Sequence, residues 1–116
     1  MTNQERNLKL AKLVFSDVSK LYINENGELW VKTLLRVNDY ELDYCTNWND
    51  LMPLVFEHEV DITAPHGGKM WDATHWDEDS DVDKWVECSN TNPQIALVDC
   101  LIKVLEEKNN VVDGTA

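Results

Sequence analysis

The stretch Thr46-Asn47-Trp48-Asn49-Asp50-Leu51-Met52-Pro53-Leu54-Val55-Phe56-Glu57-His58-Glu59 decides how the rest of the chain is read. Wound at about 100° per residue, Leu54, His58, Leu51, Val55, Trp48, Met52 and Phe56 fill one arc, while Asn49, Pro53, Glu57 and Asp50 fill the other. That is the pattern of a helix laid on a core. Asn47 is placed to cap the first turn, with Asp50 three residues on, where a carboxylate meets unpaired amides and the positive end of the helix dipole. Pro53 removes a backbone donor and crowds the preceding turn, so the regular helix is expected to begin nearer Asn49.

Working back towards the N-terminus, residues 4–20 read as an amphipathic helix with Leu8, Ala11, Val14, Phe15 and Val18 on its apolar side. Leu13 points the other way. Asn26-Gly27 then separates two β-prone stretches, and both residues suit the positive φ of a tight hairpin turn. The second stretch alternates cleanly, with Leu29, Val31, Thr33, Leu35 and Val37 on one face and Trp30, Lys32, Leu34 and Arg36 on the other. Asn38–Cys45 is an acidic connection whose two tyrosines, Tyr40 and Tyr44, are suited to packing over a sheet edge with wet hydroxyls.

Working forward, Val60–Ala64 alternates as a short strand that Pro65 and the Gly67-Gly68 pair end. Met70–Trp76 and Lys84–Ser89 form a hairpin around the acidic loop 77–83, a run of charge that must lie in solvent. Asn92–Lys108 is the clearest helix: Asn92 caps it, Pro93 takes the first position, and Ile95, Leu97, Val98, Leu101, Ile102, Val104 and Leu105 make a broad apolar face. The polar tail 109–116 is expected to fray as a flexible end. These elements predict an α+β fold: a three-layer α/β/α sandwich in which a mostly antiparallel sheet of four to five strands is flanked by about three helices, as a single domain over residues 1–108.

With 116 residues, 43% of them hydrophobic, the chain has enough material for a core of its own. The net charge of −12 is unevenly placed. Residues 1–37 carry six lysines and arginines against four acids, whereas residues 38–83 carry thirteen acids against Lys69 alone. An acidic field of this kind repels nucleic acid and membrane surfaces and speeds encounter with basic partners, which excludes direct nucleic-acid binding from the expected functions. No apolar run is long enough to span a bilayer, and the start MTNQERNLKL lacks the layout of a secretion signal, so a cytoplasmic location is expected. Three cysteines, Cys45, Cys88 and Cys100, form no CxxC pair and read as reduced, packed thiols.

The run Asn47-Trp48-Asn49-Asp50-Leu51-Met52-Pro53-Leu54-Val55, a tryptophan-bearing β segment, and then Asn92-Pro93-Gln94-Ile95-Ala96-Leu97 resemble the small bacteriophage and prophage proteins of the phage αβα-sandwich (ABA sandwich) domain family. The likeness covers roughly residues 45–108. It implies a phage or prophage origin, action in the cytoplasm of a bacterial host and a three-layer fold, and it brings no catalytic residues with it. The first forty residues and the loop 77–83 lie outside the shared pattern.

Asp77, Asp79, Asp81 and Asp83 alternate like the opening of a calcium loop, but position six is Val82 instead of glycine and position twelve is Cys88 instead of glutamate, so no metal is expected there. His58, His66 and His75 with Cys45 or Cys88 lack zinc-ligand spacing, and no local base and oxyanion pocket accompanies the thiols. No catalytic residue, metal or cofactor is therefore assigned, and the chain is expected not to be an enzyme. Trp76 and Trp85 flank the acidic loop as an aromatic anchor with a charged rim, a composition suited to a protein interface.

The expected function is that of a non-enzymatic acidic accessory protein that binds a host or phage protein with a basic surface. Its most concrete form is an anti-CRISPR-like, DNA-mimicking inhibitor of defence. The partner-binding set is Asp39, Glu41, Asp43, Asp72, Trp76, Asp77, Glu78, Asp79, Asp81, Asp83 and Trp85. The alternative is a structural or regulatory module that acts by self-association or docking as a homodimer, with its acidity incidental.

Overall fold

The computed structural model describes residues 1–33, 38–65, 67–77 and 84–114, with the backbone alone at 77, 84 and 109–114. Helix α1 (Asn3–Val14) opens the chain, capped by Thr2, whose hydroxyl accepts the Glu5 N–H at 3.1 Å. It ends well short of residue 20, and a 3₁₀ turn at Val18–Lys20 leads into the first sheet. Its buried face is Asn7, Leu10 and Ala11, with Leu8 and Leu13 packed beside them, while Val14 and Val18 are exposed. The expected face was thus right for Leu8, Ala11 and Phe15 and wrong for Val14 and Val18, and Leu13, expected to point away, packs on the core. Asn7 broke the apolar pattern in the sequence, yet it is buried because polar partners meet it inside.

The first hairpin joins β1 (Leu21–Ile23) to β2 (Leu29–Val31). Only Gly27 takes positive φ, at +80°, and Asn26 does not. Asn24 closes the turn by accepting Gly27 N–H with its carbonyl and the N–H groups of Asn26 and Glu28 with its side chain, so the loop is a three-residue turn with glycine in the left-handed place. Leu34, Leu35, Arg36 and Val37, expected to prolong β2, lie outside the described residues. The acidic connection contributes a strand of its own, β3 (Tyr40–Glu41), which pairs antiparallel with β2.

Helix α2 (Trp48–Glu57) is capped by the Asn47 side chain and starts one residue before the position expected from Pro53. Pro53 is tolerated because it stands on the exposed side. The helix buries Leu51, Leu54 and Val55, but Trp48 is 43% and Phe56 74% exposed, so the apolar arc seen in the sequence is wider than the contact it makes. Glu59 follows with φ +53°, and Val60 N–H returns to the Val55 carbonyl at 3.1 Å, closing the helix in a Schellman arrangement.

Strand β4 (Asp61–Thr63) then pairs with β5 (Trp71–Asp77), which pairs over its whole length with β6 (Lys84–Asn90). Helix α3 (Pro93–Gly114) closes the described chain, running past the expected end at Lys108 because no proline or glycine intervenes before Gly114. It packs against β5, β6, α1 and α2, and Leu97, Val98, Cys100 and Leu101 are among the most deeply buried side chains. The described fold is thus α+β, with three α-helices and two three-stranded antiparallel sheets, β1-β2-β3 and β4-β5-β6, where the sequence suggested one sheet of four to five strands. None of the described helices is long and apolar enough to cross a membrane.

Candidate functional site: an acidic and aromatic sheet face

Side chains alternate across the β4-β5-β6 sheet. Ala73, Val86 and Cys88 turn inward and are buried on the side where α3 packs. On the opposite side the register brings three rows together: Asp61–Thr74–Glu87, Thr63–Asp72–Ser89 and Trp76–Trp85. These residues are exposed or half-buried, and those with ionisable side chains are the acids Asp61, Asp72 and Glu87. Trp76 and Trp85 face each other across the strands with ring centroids 5.8 Å apart and planes tilted by 56°, at 43% and 55% exposure. The Trp85 indole N–H donates to Glu87 at 3.1 Å, which fixes one ring of the pair beside a carboxylate. Asp72 accepts the Ser89 hydroxyl from the neighbouring strand.

Of the residues singled out in the sequence, Asp72, Trp76 and Trp85 are brought together here. Asp77 stands at the end of β5 with its backbone opposite Lys84. Glu78, Asp79, Asp81 and Asp83 lie outside the described residues, as does His66. Glu41 is on β3 of the other sheet, and Asp39 and Asp43 flank that strand. Asp39 accepts the Tyr22 hydroxyl at 3.1 Å and Thr33 N–H at 3.0 Å. Asp43 accepts from the Asn7 amide at 2.9 Å, from Cys45 and Thr46 N–H, and from the Thr46 hydroxyl. Both carboxylates hold the fold, Asp43 with four donors and Asp39 with two. Glu41 is exposed, and a hydrogen bond shared with Glu28 raises its carboxyl above the ordinary range. Glu28 is held below that range, chiefly by the Asn24 amide. The described acids of that set thus stand in two places in the fold, around β3 and on β5.

Asp61 and Glu87, outside the partner-binding set expected from the sequence, join the face. Their signal was available only through the register: each sits on the same side as Trp76 and Trp85 once the strands pair, and Glu87 lies two residues from Trp85 on an alternating strand.

Cys45 and Cys100 are buried, which pushes both thiols up to about 12, and burial raises Cys88 as well. His58, at the end of α2, lies 3.5 Å from the Lys108 ammonium, and burial followed by that charge lowers its pKa. Among the described residues no three His, Cys, Asp or Glu side chains gather as metal ligands would. Compared with known proteins, the chain matches no family model and no curated protein.

Proposed function

We propose that this is a non-enzymatic acidic phage or prophage protein that binds a protein partner through the outer face of the β4-β5-β6 sheet. The partner presents a basic, nucleic-acid-binding surface, and the most concrete form of the activity is anti-CRISPR-like inhibition of defence in the host cytoplasm. The observation that carries this reading is the Trp76–Trp85 pair, half-exposed among Asp61, Asp72 and Glu87 on the side of the sheet opposite α3. Aromatic anchors inside a charged rim are the composition of interface hot spots, and the net charge of −12 steers basic partners towards the chain. The phage resemblance supports the setting, and the three-layer sandwich it implies belongs to the same proposal.

Capture from bacterial lysate tests the reading. A nucleic-acid-binding protein is expected on the wild-type bait, displaced by excess duplex DNA and by high salt, and missing from the Trp85→Ala bait. A partner that resists both DNA and salt contradicts it. The same exposed pair also serves a self-association reading, which light scattering would reveal as a stable dimer lost in Trp85→Ala with no basic protein captured.

A further inference from the structure

Strand β6 pairs with β5 from Lys84 to Asn90, and among the described residues it has no strand on its other side. In an antiparallel ladder alternate residues aim their N–H and C=O groups away from the partner, so such an edge presents a row of backbone donors and acceptors. Proteins commonly blunt an edge with proline, a bulge or lysines along its length. β6 has no proline, pairs one-to-one over seven residues, and carries its single lysine at its first position.

Beside that edge runs a groove of about 460 Å³, lined on one side by Glu87, Cys88 and Ser89 and on the other by α1 and α3. Of the charges that line it, Arg6 meets Asp99 at 2.8 Å and Lys9 meets Glu106 at 2.9 Å, with Ile102 between them on α3, and Lys103 and Glu87 line it outside these two ion pairs. An extended chain lying there would set alternate side chains over this floor, where Lys103 favours uncharged residues over cations. The others would point to the outer face, beside Trp85 and Glu87.

We infer that the edge of β6 left unpaired among the described residues takes up an extended segment of the partner with lysine or arginine at alternate positions, adding a fourth strand to the β4-β5-β6 sheet. This rests on the basic-partner reading above and names what that partner presents. Backbone pairing supplies the register, and the outward cations meet the Trp85 ring face and the Glu87 and Asp72 carboxylates. Charge decides against a second copy of this chain as the occupant. Two chains of −12 repel, and symmetric antiparallel pairing centred on β6 would set Glu87 against its own counterpart.

The experiment titrates the full chain, isotopically labelled, with a short synthetic peptide of alternating lysine and valine, and reads amide hydrogen exchange in β6. Two further peptides of the same sequence carry backbone N-methyl groups on the lysines or on the valines, so that each blocks one edge of the added strand. The unmodified peptide should slow exchange along β6. One N-methylated version should bind roughly tenfold more weakly and the other like the parent, a difference of about 1.4 kcal/mol. Trp85→Ala, whose ring is largely outside the core, should weaken the parent peptide without altering the far-ultraviolet circular dichroism. Equal binding of both methylated peptides overturns strand addition while leaving the acidic face as a docking surface. Protection of β6 in the absence of peptide, together with a dimeric mass, overturns it in favour of a second copy. Failure of all three peptides to bind overturns it too, and DNA-sensitive capture from lysate then decides separately whether the basic-partner reading survives.

Discussion

Asp43 has both carboxylate oxygens turned towards its own chain. It accepts from the buried Asn7 amide, from two backbone N–H groups and from the Thr46 hydroxyl, and so ties α1 to the turn that enters α2. Asn7 completes the link by accepting Cys45 N–H at 3.1 Å. Asp43→Ala leaves a buried donor unpaired and should cost about 1–3 kcal/mol in urea unfolding. Glu41→Lys, two residues away but exposed, should stay within about 0.5 kcal/mol. The thiols give a second expectation at this scale. In the unfolded chain they ionise near pH 8.5, whereas burial holds Cys45 and Cys100 protonated in the native state to about 12. A raised native pKa contributes stability that is complete below the unfolded value and is lost as pH rises. The urea midpoint should therefore fall between about pH 8.5 and 12, and none of the three thiols should react with a disulfide reagent at pH 8 until denaturant is added.

At the scale of elements, α2 shows what a helical pattern does and does not disclose. Its cap at Asn47 and the buried trio Leu51, Leu54 and Val55 were legible, because cap chemistry and a 3.6-residue period are local. The exposure of Trp48 and Phe56 was not, since the width of a buried face depends on how much of it the neighbouring α3 covers. The same limit explains α1, where Asn7 hid the buried face until its partner Asp43, thirty-six residues on, was in place. The end of α2 carries a testable strain. Glu59 occupies the left-handed position of the Schellman turn, at φ +53°, where glycine suffers no Cβ clash. Glu59→Gly should raise stability by about 0.5–1 kcal/mol in thermal or urea unfolding, and a loss would show that contacts of the Glu59 side chain outweigh the backbone strain.

Over the whole molecule, helix and strand content and the tryptophan-bearing hairpin followed from the sequence, and the division into two sheets did not. Period-2 alternation identifies strands but not which strands pair, and β3 is too short to register as one. The clustering of Trp76, Trp85 and Asp72 was legible because they share a hairpin. The acceptor roles of Asp39 and Asp43 beside β3 were not legible, because their partners lie elsewhere in the chain. The functional proposal thus rests on a particular face and not on net charge alone. One measurement separates the two most directly: the affinity of the captured basic partner for Glu87→Lys and for Glu41→Lys, which change the total charge equally on different sheets. The account predicts that Glu87→Lys loses roughly tenfold or more beyond Glu41→Lys, about 1.4 kcal/mol at least. Equal losses from the two, or a larger loss from Glu41→Lys, would contradict it.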